Sequence, residues 1–465
     1  MNWKKLVSNK FLALPLAAGI GLAGAAPLWA SPSVFKTGTT IYDPAKAYNS
    51  YVIFTALDGK THLIDLDGNE VHSWPHVAFP AGLLDPALTG GKLGHVIVQL
   101  ENGPGIEQGF FQNKVLAELD WDGQVVWQWG PEAPGGAAQQ HHDWGRLANG
   151  DTLVLSHLTH KVEGLDGKEV LDDVIYEVTP DGKIAWTWVA GDHLSEFGFS
   201  PTDLKYLQGV VSRGKDVDYL HINDMKVVGP NHWFDSGDPR FNPDNIIVDS
   251  RNANFIVIID KQTGKVVWGL GPDYPRPKIA PGMAVQGAKS KLPRPVDQIS
   301  GQHDAQIIPE GLQGAGDLLV FDNQGSAGYP PVVTGAGSRV LEIDPVQKQV
   351  VWEYTAEYSG RPAWTFRSHF ISDARRLPNG NTFINEGMNG RFFQVTPNGD
   401  IVWEYISPYT SSPSTSALAP NGRPIISGDV YRAIPVPYDW VPAGTPHSEK
   451  EVADPDTLNL TPTAQ

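Results

Sequence analysis

Four histidines stand at matching places in this chain: His142 in "QQHHDWGRL", His221 in "YLHINDMKVV", His303 in "GQHDAQII" and His369 in "RSHFISDARR". Each opens, or shortly precedes, a run with the alternation of a β-strand. Imidazole is the side chain that exchanges protons near neutral pH, and its unprotonated nitrogen is also a nucleophile. Several imidazoles meeting at one point could bind an anion, protonate a leaving group or accept a group covalently. The amide of Asn223 and the guanidinium group of Arg367 lie beside these histidines, Asn323 and Arg391 come about 20 residues after His303 and His369, and such donors suit a tetrahedral oxyanion. A metal centre is the weaker reading. Histidine binds zinc, but the chain has no HExxH, and on a regular strand the rings of His141 and His142 point to opposite faces. No metal or other cofactor is expected. His62, His72, His76 and His447 share no common position and read as surface or packing residues.

The elements that must carry these residues repeat. "DGNEVHSW" (67 to 74), "DGQVVWQW" (122 to 129), "DGKIAWTW" (181 to 188), "TGKVVWGL" (263 to 270), "QKQVVWEY" (347 to 354) and "NGDIVWEY" (398 to 405) each follow an alternating apolar run such as "VLAELDW" or "FIVIID". Run, turn, run is a hairpin. Six of them, about 50 to 85 residues apart and each with a second strand pair, predict an all-β chain: a six-bladed β-propeller of four-stranded antiparallel blades. The Trp of each motif falls on the outer strands, where a flat ring fills the gap between blades. The C-terminal "GDVYRAIPVPYDW" reads as a further strand that completes blade 1 and closes the ring. Extra segments at 189 to 220 and 271 to 302 precede inner strands, so they rim the same mouth as the four histidines.

Composition sets the outer limits. The 465 residues include 49 Gly, 38 Pro and no Cys, with a formal charge of −17. A surface of that charge disfavours nucleic acid and anionic membranes as partners, and without Cys there is no disulfide framework. Lys4, Lys5 and Lys10 precede the apolar "FLALPLAAGIGLAGAAPLWA", the form of a signal peptide over residues 1 to 30, and the expected location is periplasmic or secreted. Leu28 departs from the usual cleavage pattern, and an uncleaved anchor is the alternative. The propeller is expected over 31 to 440, followed by a polar, unstructured tail over 441 to 465.

Taken in order, "AYNSYVIFTALDGKTHLIDLDGNEVHSW", "HHDWGRLANGDTLVLS", "HINDMKVVGP", "NIIVDSRNANFIVIIDKQTGKVVWGLGP", "QHDAQIIPEG", "LLVFDN" and "VYRA" resemble the bacterial arylsulfate sulfotransferase family. The resemblance implies transfer of a sulfuryl group from an aryl sulfate to a phenol through a transient sulfohistidine. It also implies that His221 and His303 belong to the reacting site. Two places depart from the family's pattern. No arginine follows "FDN" until Arg339, and Arg391 stands where the family has its sulfated histidine. An arginine offers no unprotonated nitrogen, so His369 is the candidate for a moved nucleophile, with Arg391 as sulfate clamp and His142 lining the site. The competing readings are a propeller lyase or hydrolase on a sulfated or uronic-acid substrate, a quinone-dependent enzyme, and a noncatalytic binding propeller.

Overall fold

The computed structural model describes residues 36–101, 113–275, 291–332, 337–414 and 416–454. The expected signal segment lies outside them. Six antiparallel sheets form the blades of a β-propeller. From the inside outwards, blade 2 is built of Val77–Leu83, Val96–Gln99, Leu116–Leu119 and Val125–Trp129. Blades 3 to 6 follow the same order, with innermost strands Gln140–Arg146, Ile222–Val227, His303–Ile307 and Asp373–Arg376. In blade 1 the innermost strand is Ala433–Val436 from the far end of the chain, paired with Tyr51–Thr55. The N-terminal strand Gly38–Tyr42 adds a fifth, outer strand to blade 6 by pairing with Ile401–Ile406. The ring is thus closed twice by chain ends, once at the axis and once at the rim, which covers sheet edges that would otherwise pair with other chains.

The middle strands of the blades are buried on both faces, so they read as continuous apolar runs such as "IIV" and "FIVII", whereas outer strands such as Val125–Trp129 are partly exposed. The core is accordingly divided into six large apolar layers, one between each pair of neighbouring blades. Alternate residues serve alternate layers. Val52 and Phe54 face blade 6, whereas Tyr51 and Ile53 face blade 2, as a period of two requires.

The repeated outer-strand ring has a second task. Trp268 Nε1 donates to Pro345 O at 2.8 Å, Trp352 to Pro397 O at 3.0 Å and Trp403 to Leu66 O at 2.7 Å, each in the hairpin turn of the next blade. In blade 1 His72 takes the place of the Trp and reaches Trp121 O at 3.0 Å. In blade 3 Trp188, two residues further along, reaches Gly264 O at 2.9 Å. One ring therefore fills the gap and satisfies a turn carbonyl that the layer would otherwise leave unpaired.

Among the insertions, Pro201–Arg213 forms a helix with a Ser200–Asp203 capping box. Its Leu207 and Val211 join the layer between blades 3 and 4. Arg294–Pro295 pairs with the outer strand of blade 5. The described residues after 440 differ from the expected unstructured tail. Val452 bridges Tyr42, Tyr51 Oη donates to Thr445 O at 2.9 Å, and His447 stacks on Tyr438 at 4.0 Å between ring centroids. Aromatic rings on blade 1 supply a surface that a polar composition does not reveal. No helix among the described residues is long and apolar enough to cross a membrane.

Candidate functional site

The innermost strands of successive blades run the same way along the axis, so their starts gather at one mouth. There the ladders are irregular. Pairing slips at the beginning of the innermost strand in blades 2, 3, 4 and 5, and Gln139, His142, His221, Asp304, Ile371 and Ser372 all have positive φ between 46° and 98°. Non-glycine residues take this conformation at a cost, and bulges of this kind re-aim side chains at sites.

The bulge overturns the strand geometry expected for His141 and His142. Their rings are not on opposite faces: the two Nδ1 atoms are 2.8 Å apart, one donating to the other. The His142 ring also meets that of His221 edge-on, with centroids 4.5 Å apart, and Phe79 at 4.8 Å. Burial, followed by the neighbouring His221, pushes His142 well below the ordinary histidine range, so it is neutral.

His221 is half-buried, and its Nδ1 donates to the carboxylate Oδ2 of Asp218, three residues earlier. This carboxylate fixes the proton on Nδ1 and leaves the Nε2 lone pair for chemistry, the logic of an oriented base. Asp218 was not singled out in the sequence, although "DYLH" holds both residues of the pair. Arg251 follows the second strand of blade 4; its backbone N–H donates to His221 O at 3.1 Å. Its charge depresses His303 after burial. Burial and Asp218 raise the Tyr329 phenol, and Arg251 pulls against them.

His303 is fully enclosed and committed on both nitrogens. Nδ1 donates to Asn323 Oδ1 at 2.7 Å, and Nε2 accepts from the Ile371 N–H at 3.0 Å. Asn323 in turn donates through Nδ2 to Ser368 O at 2.8 Å and Ile371 O at 2.7 Å. His303 and Asn323 thus hold the loop that carries His369. His369 is half-buried, and burial, followed by Arg367, lowers its pKa. Its carbonyl lies 2.2 Å from where a Cβ on Gly325 would stand, so that glycine is needed for the close approach of the two loops. Arg367 is exposed. Asn223 donates through Nδ2 to Gln302 O at 3.1 Å. Arg391 is enclosed in blade 6, its Nε donating to Glu404 Oε1 at 2.6 Å and Nη1 to Glu386 Oε2 at 2.8 Å. Arg339 is likewise engaged, by Asp322 at 2.7 Å and Asp297 at 2.9 Å.

Sequence reasoning missed what lies directly below the histidines. Asp143, Asp224, Asp304 and Asp373, one from each of blades 3 to 6, ring the axis without exposure to solvent, and Asp249 lies beside them. Into this ring blade 1 sends Arg432, fully buried, which reaches Asp143 at 3.0 Å, Asp224 at 3.1 Å and Asp304 at 3.5 Å. Lys226 bonds Asp143 and also reaches Asp224 at 2.7 Å. Burial would raise Asp143, but Arg432 and Lys226 outweigh it and hold its pKa low. Asp373, raised by burial and then by Asp304, reaches about 7. Asp224 also reaches about 7, because burial exceeds the pull of Lys226 and Arg432. The signal was in the sequence: Asp follows His in "HHD", "HIND", "QHD" and "HFISD".

A further cluster adjoins His142. His141, His157 and Asp173 are buried, and the rings of His141 and His157 stack with centroids 3.6 Å apart. These residues are the group that could hold a metal ion among the described residues, with donor atoms all within 4.8 Å of one another.

Fold and site together define a six-bladed propeller with imidazoles, amides and an oriented Asp–His pair at one mouth above a buried ring of charge. The chain belongs to the arylsulfotransferase (ASST) family, whose family model matches residues 92–415. That membership supports a sulfotransferase-like role. No curated protein matches the chain. Among solved structures it is similar to a protein of unknown function from Bacteroides caccae, with 11% identity, 84% of this chain and 99% of that one covered, and a TM-score of 0.43. It is also similar to a catalytically inactive variant of virginiamycin B lyase from Staphylococcus aureus, solved with quinupristin, with 12% identity, coverage of 81% and 90%, and a TM-score of 0.37.

Proposed function

We propose that this chain moves a sulfuryl group from an aryl sulfate to a phenol at the mouth where His142, His221, His303 and His369 gather. The observation that carries the reading is the Asp218–His221 pair, an accessible imidazole held by a carboxylate, in a chain of the arylsulfotransferase family. The Nε2 lone pair of His221 attacks sulfur, a nitrogen–sulfur bond forms, and the sulfur–oxygen bond to the aryl group breaks. The departing phenoxide takes a proton. The acceptor phenol then loses a proton, attacks sulfur and breaks the nitrogen–sulfur bond, which restores the imidazole. A phenol titrates near pH 10, so a positioned base assists the second step. Charge on the sulfuryl oxygens is met by neutral imidazole donors and by Arg251. Arg391 is paired with two carboxylates, which favours Arg251 for that task. His369, whose pKa burial and then Arg367 lower, is the second imidazole able to accept the group.

The test is a chromogenic aryl sulfate with and without added phenol. Release of colour that depends on phenol is expected, and His221→Ala is expected to reduce it at least 1,000-fold, with Asp218→Asn reducing it by about 10–100-fold. Colour release without phenol indicates hydrolysis instead. Full activity in His221→Ala together with loss in His369→Ala would transfer the nucleophile to His369. The expected export of the chain fits substrates met outside the cytoplasm.

A further inference from the structure

We infer that His141, His157 and Asp173 form a binding site for one divalent transition-metal ion of the zinc class, beside the reacting histidines. Three buried polar atoms converge there without hydrogen-bond partners: His141 Nε2, His157 Nε2 and Asp173 Oδ1. Such atoms each cost free energy when left unmet, and the three face one another. Asp173 Oδ1 is 3.4 Å from His141 Nε2 and 4.0 Å from His157 Nε2. Donors around a tetrahedral zinc ion, with bonds of about 2.0–2.1 Å, stand roughly 3.3 Å apart. The donors therefore lie within reach of one ion, and the stacked rings of His141 and His157 must tilt apart for both lone pairs to point at it. Two imidazoles and one carboxylate are a donor set that zinc and its neighbours favour over magnesium or calcium.

The surroundings supply what such a site needs. The other oxygen of Asp173, Oδ2, accepts the Ile222 N–H at 3.0 Å, which holds the carboxylate with Oδ1 towards the rings. The other nitrogen of His141, Nδ1, bonds His142, and second contacts of this kind orient metal-bound histidines. A cavity of about 230 Å³, lined by Gly135, Ala138, Gln139, His157, Thr159 and Tyr176 among others, lies beside His157. The three protein donors leave one position for water. Metal on His141 Nε2 requires the proton on Nδ1, where it donates to His142 Nδ1. His142 then carries its own proton on Nε2, next to His221. The ion would set the tautomer of a residue at the mouth.

The experiment uses the full chain, stripped with chelator and dialysed against zinc, with cobalt(II) as a spectroscopic probe. One equivalent of zinc is expected to remain after gel filtration. His157→Ala and Asp173→Asn are each expected to weaken binding at least 100-fold, whereas His447→Ala, on the remote packed tail, leaves it unchanged. Failure to retain zinc, or unchanged affinity in the His157 and Asp173 variants, overturns the proposal. Should those variants not fold, zinc-edge X-ray absorption on the unmodified protein decides: two imidazoles and an oxygen shell at about 2.0 Å support the site, and fewer than two imidazoles overturns it. None of these readouts involves sulfuryl transfer, so failure here leaves that proposal standing.

Discussion

Arg432→Met removes a fully buried cation at the axis while retaining most of its side-chain volume. Arg432 meets three carboxylates from three blades within 3.5 Å, and without it only Lys226 remains in contact with all three of those aspartates. Removal of one partner from a buried ion pair costs about 3–5 kcal/mol, because the remaining charge stays desolvated. Unfolding entropy near 2.1 cal/mol/K per residue, over roughly 400 ordered residues, gives about 0.8 kcal/mol/K. The expected fall in Tm at pH 7 is therefore about 4–6 °C, measured by scanning calorimetry with reversibility checked. The deficit should shrink at pH 5, where the carboxylates left without their cation take up protons. A loss of stability that came only from packing would be the same at both pH values. A fall of less than 1 °C at pH 7, or one independent of pH, would refute the account of Arg432 as the charge that holds the blades together.

The remaining predictions concern pH, closure and the reacting site. Asp373 is raised in the folded state to about 7, above its unfolded value near 3.9. Its favourable contribution is fully present below pH 3.9 and is lost as pH rises through 7. Asp373→Asn should therefore match the unmodified protein near pH 4, become progressively more stable than it as pH rises to about 7, and keep a constant advantage above that; parallel curves of Tm against pH from 4 to 7 would refute the shift. Truncation after Val430 deletes the innermost strand of blade 1 and Arg432, and should give aggregated or unfolded chain by circular dichroism and gel filtration, whereas a soluble monomer would contradict closure at the axis. The pH profile of phenol-dependent colour release should change shape in Asp218→Asn relative to the unmodified protein, since the carboxylate sets which His221 nitrogen carries the proton; an identical profile scaled only in height would argue against the pair.

The six hairpins, the number of blades and the closing strand were legible because they depend on local matters: the period of two, Asp-Gly and Asn-Gly turns, and a recurring Trp at one register position. The same register placed His142, His221, His303 and His369 at the starts of successive inner strands. Which imidazole is available and which is committed was decided only by tertiary contacts. His303 spends both nitrogens on Asn323 and Ile371, and His221 gains Asp218, because bulges and positive-φ residues break the alternation from which side-chain direction is read. Arg391 looked available in the sequence, yet Glu386 and Glu404 close on it from neighbouring strands. The buried ring of Asp143, Asp224, Asp304 and Asp373 around Arg432 belongs wholly to the assembled propeller. Its members are separated by up to hundreds of residues, and only closure at the axis brings opposite charges close enough, and far enough from water, for each to determine the other's ionisation.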